Sequence, residues 1–153
     1  MRYRFLRPAK EGIYLTMAKE LAHRSTCNRA HVACIITDTN AIIVGAGYNG
    51  SPPGSPHCIN EGCIVVDEHC VRTIHAEMNA IVRINTTEKE LIGYCTHTPC
   101  FNCLKVGLTK GIYTWWYLQH YADKARDKFV EWYNTCHDKK IELREGTCDK
   151  VFI

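Results

Sequence analysis

Apolar residues recur four apart at Ile13, Met17 and Leu21, with Tyr14 and Ala18 widening the same stripe. That spacing predicts an amphipathic helix over residues 9–24. Residues 32–37 and 41–46 are two short β-rich runs, and Asp38-Thr39-Asn40 between them supplies turn chemistry, so a hairpin is expected. Residues 47–71 carry Gly47, Gly50, Gly54, Pro52, Pro53 and Pro56 and read as one long ordered loop. A second helix is predicted over 72–84, with Ile74, Met78, Ile81 and Val82 facing inward. A strand at 91–96, a helix at 99–110 stopped by Gly111, and a strand at 112–117 follow. The last helix, 122–137, gathers Ala125, Phe129, Trp132 and Cys136 on one face, and residues 141–143 suit a final strand. The order α-β-β-α-β-α-β-α-β implies a mixed five-stranded sheet covered on both faces, a three-layer α/β/α sandwich. No repeat or linker divides the chain, so residues 1–153 are expected to form a single domain.

Composition narrows the partners more than the fold. The chain is 46% hydrophobic and 23% charged, with a formal net charge of +3 spread along its length. A weakly basic, unclustered balance suits a small anionic ligand and leaves no nucleic-acid footprint. Met1 to Phe5 leads into no apolar signal region and no run has the length of a membrane span, so a cytoplasmic location is expected (a host's cytoplasm, were the source viral). Ten cysteines then require another explanation than disulfides. Several stand beside histidines at short spacing, as in His57-Cys58, Cys63, His69-Cys70, Cys100 and Cys103, which favours metal binding; Cys34, Cys95 and Cys136 fall in apolar stretches and read as core.

His75-Ala76-Glu77 followed by Pro99-Cys100-Phe101-Asn102-Cys103 is the chemical centre. One imidazole and two thiolates are three ligands for a tetrahedral zinc, leaving one corner for water. Zinc lowers the pKa of bound water toward neutrality, and Glu77, two residues past the ligand, stands ready to move protons. This H-x-E…P-C-x-x-C pattern is the signature of zinc nucleobase deaminases. Cys100 and Cys103 share a helix face at i and i+3, and a helix N-terminus favours thiolates.

Beyond this pair, the chain resembles the deoxycytidylate (dCMP) deaminase family from about Leu15 to Tyr117. The resemblance is carried by Arg24-Ser25-Thr26-Cys27-Asn28-Arg29-Ala30, by Gly47-Tyr48-Asn49-Gly50-Ser51-Pro52-Pro53-Gly54, by the segment from His57-Cys58 to His69-Cys70-Val71-Arg72-Thr73, by His75 to Ala80, and by Pro99 to Cys103. It implies hydrolytic deamination of dCMP to dUMP, with His75, Cys100 and Cys103 on zinc and Glu77 as proton shuttle. It implies substrate contacts from Asn49, Ser51, Ala76, Arg29 and Tyr117, and nucleotide regulation by dCTP and dTTP involving Gly50, Gly54 and Asn79, with magnesium accompanying a regulatory triphosphate. A homo-oligomer, commonly a hexamer, is the family habit. A second, structural zinc on Cys27, Cys58, Cys63 and Cys70 is implied in the same way, with His57 and His69 as alternative ligands. Two features depart from the family pattern: Ala33 and Cys34 after Val32, where glycine usually follows, and His97 two residues before Pro99, where an aliphatic residue is commoner.

Plainer readings stand beside these. The glycine-rich segment alone is an ordinary pair of turns, Trp115, Trp116 and Tyr117 suit strand packing, Arg29 suits a solvated charge, and the four cysteines suit buried reduced thiols. Two other functions also remain open, a deaminase of another cytosine or adenine substrate, including a tRNA or single-stranded nucleic-acid base, and a zinc-stabilised binding module without catalysis.

Overall fold

A computed structural model describes residues 7–148; the Met1–Phe5 stretch lies outside them. Helix α1 (Lys10–Leu21) tightens into a 3-10 turn (Ala22–Arg24) before strands β1 (Ala33–Asp38) and β2 (Ile43–Tyr48). The Asp38 carboxylate accepts the N–H groups of Asn40 and Ile42 at 2.8 and 2.9 Å, an Asx-type turn that fixes the antiparallel β1–β2 register. The segment expected as loop contains a short helix α2 (Cys58–Glu61) and a two-residue-per-strand hairpin, β3 (Val65–Val66) and β4 (His69–Cys70). Its turn carries no sequence signal because Asp67 and Glu68 adopt φ of 48° and 65°, conformations normally signalled by Asn-Gly.

Helix α3 (Ala76–Ile81), strand β5 (Leu91–His97), helix α4 (Phe101–Thr109), strand β6 (Ile112–Gln119), helix α5 (Lys124–Cys136) and strand β7 (Glu142–Glu145) complete the order. The five-stranded sheet runs β2-β1-β5-β6-β7, antiparallel across β2–β1–β5 and parallel across β5–β6–β7. β2 and β5 therefore point the same way with β1 between them, and the helices that follow them start at the same end of the sheet. β1 is buried at every position because both faces are covered. Ile35 and Tyr94 meet Leu15 and Ala18 of α1 on one face; Cys34, Ile36, Cys95 and Trp115 meet Ala76, Ala80 and Ile81 of α3 on the other. This is the expected α/β/α sandwich.

Two further expectations change. The second helix is shorter than 72–84: it starts after His75 and ends at Ile81, so Ile74 instead bridges to Gly50 and Val82 stands 77% exposed. On α5 the expected inward face is largely outward, with Trp132 56% exposed and Ala125 and Cys136 exposed, while Arg126 is fully buried. α5 packs on α4 rather than on the sheet, and Arg126 finds polar partners in the loops that precede α4 and α5.

Gly47, grouped with the loop in sequence, is a β2 residue against which α3 lies. A Cβ there would sit 2.5 Å from the Ala80 nitrogen and 2.7 Å from the Ala76 oxygen. Helix backbone cannot yield as a side chain can, so Gly47→Ala is expected to push α3 outward and destabilise the fold by about 1–3 kcal/mol. Urea unfolding checks this: the midpoint should fall at an unchanged m value, and an unchanged midpoint would contradict the close packing.

Candidate active site and thiol cluster

His75 and Cys100 occupy equivalent places, each the residue before the first turn of a helix, α3 and α4 respectively. One helical turn on, Cys103 is buried on the inner face of α4. His75 Nδ1 lies 3.5 Å from Cys100 Sγ and 3.5 Å from Cys103 Sγ. With Zn–S near 2.3 Å and Zn–N near 2.0–2.1 Å, a tetrahedral site has N···S edges of about 3.5 Å and S···S edges of about 3.8 Å. The three donor atoms, all within 4.8 Å of one another, therefore fit zinc without rearrangement.

Charge in the trio is polarised. Hydrogen bonding from the Cys103 thiol is the largest influence on Cys100; despite burial, and with help from His75 and the Cys103 N–H, it lowers the Cys100 thiol to about 4. Cys103 is pushed up, first by that same bond and then by burial. His75 is raised, chiefly by its bond to Cys100. Glu77, in the first turn of α3, is only 4% exposed, and burial raises its carboxyl to about 7. A carboxyl so poised both accepts and donates near neutrality, which suits a proton carrier.

His75, Glu77 and Cys100 line a cleft of about 790 Å³ together with Ala76, Arg29, Asn49, His97 and Tyr121. Asn49 is fixed in place: its Oδ1 accepts the Val32 N–H at 2.9 Å and the Ser25 hydroxyl at 2.5 Å, while Nδ2 donates to Ala30 O at 2.8 Å. Arg29 donates from Nη2 to the Glu68 carbonyl at 2.9 Å, tying the hairpin to the cleft mouth. His97 receives or gives a bond at Thr96 Oγ1 (3.0 Å), and burial lowers its pKa. Tyr117, expected here, is not among the lining residues; it stands in mid-β6 opposite Cys95. The cleft's aromatic is Tyr121, four residues later and past the strand end, where periodicity gives no signal.

A separate cavity of about 340 Å³ lies across the 49–50 backbone and shares no lining residue with the cleft. Gly50 and Asn79 line it, with Tyr48, His57 and Arg83. Ser51 also belongs there, not to the cleft, and its buried hydroxyl lacks a hydrogen-bond partner. Gly54, at φ +79°, has open space around it and borders neither cavity.

The second cysteine group comprises Cys58, Cys63 and Cys70. Cys58 Sγ and Cys70 Sγ are 3.8 Å apart, the S···S edge of a tetrahedral zinc. For Cys70, burial opposes ionisation, but bonds from the Thr73 hydroxyl (3.1 Å) and the Arg72 N–H outweigh it and lower the thiol to about 6. Cys27, expected as a fourth ligand, is buried with its sulfur accepting the Arg29 N–H, and it falls outside the group, as do His57 and His69. Cys34 and Cys95 are core as expected, directly paired across β1 and β5; Cys136 is exposed.

Comparison with known proteins agrees with this geometry. Residues 9–119 match the model of the cytidine and deoxycytidylate deaminase zinc-binding region. The chain is 43% identical over 113 residues to ComE operon protein 2 of Bacillus subtilis, covering 71% of this chain and 58% of that one. It is 27% identical over 124 residues to the deoxycytidylate deaminase of Saccharomyces cerevisiae, covering 71% of this chain and 38% of that one. The chain thus spans between about two fifths and three fifths of these curated relatives. The dCMP deaminase of cyanophage S-TIM5, solved in complex with dCMP and dUMP, superposes with a TM-score of 0.71 at 25% identity, over 92% of this chain and 99% of that one. Among the described residues no helix is long and apolar enough to cross a membrane. With its sandwich fold, its His75/Cys100/Cys103 donor set and the match over residues 9–119, the chain belongs to the zinc-binding cytidine and deoxycytidylate deaminase family.

Proposed function

We propose that this chain hydrolyses the 4-amino group of dCMP, giving dUMP and ammonia. The observation that carries the reading is the buried Glu77 carboxyl beside a three-donor zinc set, in a cleft whose mouth presents Arg29 to an anionic substrate. His75, Cys100 and Cys103 would hold a zinc ion, which when bound would supply the Lewis acidity that makes water nucleophilic near neutral pH. Glu77 takes a proton from the attacking water and passes it to ring N3. Glu77 then takes the proton of the new C4 hydroxyl and delivers it to N4 as the C4–N4 bond breaks and C4=O forms, so one water is consumed and ammonia released. Ala76 borders the ring, Asn49 holds the deoxyribose, and Arg29 pairs with the 5′-phosphate.

The same reading covers regulation and assembly. The cavity at Gly50 and Asn79 is the proposed seat of dCTP or dTTP, with magnesium accompanying the triphosphate; Arg83 supplies a cation there. Cys58, Cys63 and Cys70 hold a second, structural zinc that orders the 58–70 insertion. A cytoplasmic, homo-oligomeric enzyme, hexameric by family resemblance and formed from one domain, completes the proposal. The modest charge of +3 offers no groove for a polynucleotide partner.

Arg29→Ala tests the substrate class. Losing a charge-assisted phosphate contact should raise KM for dCMP by about 10-fold or more while leaving deoxycytidine kinetics unchanged. Equal effects on both substrates, or none on either, would remove Arg29 from phosphate recognition. Run with and without dCTP or dTTP, the assay also examines regulation, and no response would withdraw it.

A further inference from the structure

Arg126 is fully buried, although arginine is among the residues least often found so. Its partners explain where the charge goes. Nη1 donates to the Tyr121 carbonyl at 2.7 Å and the Pro99 carbonyl at 3.3 Å, while Nε and Nη2 both reach Asp127 Oδ1, at 3.0 and 2.9 Å. One guanidinium thus joins two loops that meet at the cleft: the one carrying Pro99 and Cys100, and the one carrying Tyr121. Asp123 repeats the stitch from the same helix end. Its Oδ2 accepts the Phe101 N–H at 2.8 Å, at the start of α4, while Oδ1 accepts the Arg126 N–H at 3.0 Å as the α5 N-cap. Tyr121 is held from its other side as well, its N–H donating to Thr98 Oγ1 at 3.0 Å.

Arg126 and Thr98 therefore hold the Tyr121 backbone, and Arg126 and Asp123 the Pro99–Phe101 turn, at a set separation. Removing the guanidinium leaves the buried Pro99 carbonyl without that donor and frees the part-buried Tyr121 carbonyl to turn toward water, so the two loops lose their shared tie. We propose that Arg126 is a positioning residue: it clamps Tyr121 against the Pro99–Cys103 turn, and Tyr121 forms the wall on which the substrate's base rests. The proposal rests on the reading of the cleft as a nucleotide deaminase site. It gives α5, which contributes no cleft residue of its own, a part in substrate binding.

A double-mutant cycle with Tyr121→Ala tests it. Arg126→Met, of similar length without the fork, should raise KM by about 10-fold or more with a smaller change in kcat, in protein that retains zinc and a cooperative unfolding transition. In the Tyr121→Ala background the same substitution should leave KM unchanged, because the wall it positions is gone. Arg126→Lys, which keeps the charge but not the fork, should recover only part of the loss. If Arg126→Met does not fold, Asp127→Ala takes its place in the cycle, since that carboxylate is 59% exposed yet holds two of the guanidinium nitrogens. KM effects that add in the double variant, or a KM unchanged in both single variants, would overturn the clamp. The cycle is run on whichever nucleotide or nucleoside the wild-type chain turns over, so a wrong substrate assignment shows in the wild type alone and is not confused with failure of the clamp.

Discussion

Glu77→Gln is expected to lower turnover of dCMP by about 10²–10⁴-fold while zinc content and the unfolding midpoint stay at wild-type values. The amide matches the carboxyl in shape, so the buried site on the first turn of α3 need not repack. What it loses is the proton. Burial holds Glu77 near 7, between acid and base, whereas an amide neither accepts the proton of water nor returns it to the leaving amine. Rapid-quench or steady-state assays with metal analysis on the same sample check both halves. Wild-type turnover in a zinc-replete Glu77→Gln protein would remove the carboxylate from the chemistry.

The second large effect concerns metal content. Two thiolate groups of tetrahedral dimensions predict about two zinc ions per chain. Cys100→Ala should bring this to about one and abolish activity, since His75 and Cys103 alone make a poor site. Cys63→Ala should also bring it to about one, but with a different result: lower thermal stability, faster proteolysis within 58–70, and activity reduced rather than lost. The two variants thus separate a catalytic from a structural ion. A wild-type content of about one, kept in Cys63→Ala and lost in Cys100→Ala, would leave Cys58, Cys63 and Cys70 as free thiols.

Much of this is legible in the amino-acid sequence alone. The order of elements follows from apolar content and spacing because the central strands are buried on both faces and α4 on one; the expected 91–96 and 99–110 differ from the observed 91–97 and 101–109 by a residue or two. The metal trio was readable because zinc demands particular residue types at particular spacing, whatever lies between them. The insertion at 58–70 was not, since its turn uses Asp67 and Glu68 at positive φ and its strands are two residues long. Helix α5 differs for another reason: of its apolar stripe only Phe129 meets α4, at Phe101, while the fully buried position is the charged Arg126, which an apolar pattern does not mark. Tyr121 and Ser51 show the limit of motif reasoning. A family segment tells which residues matter, but the backbone between Asn49 and Gly50 decides which cavity each side chain enters.

All of these readings depend on one conversion. Zinc-loaded wild-type chain incubated with dCMP should release ammonia and form dUMP in equal amounts, with deoxycytidine and a cytosine-containing oligonucleotide turned over far more slowly. Ammonia release that favours the free nucleoside or the oligonucleotide, or its absence from dCMP in protein carrying the His75/Cys100/Cys103 zinc, would contradict the account.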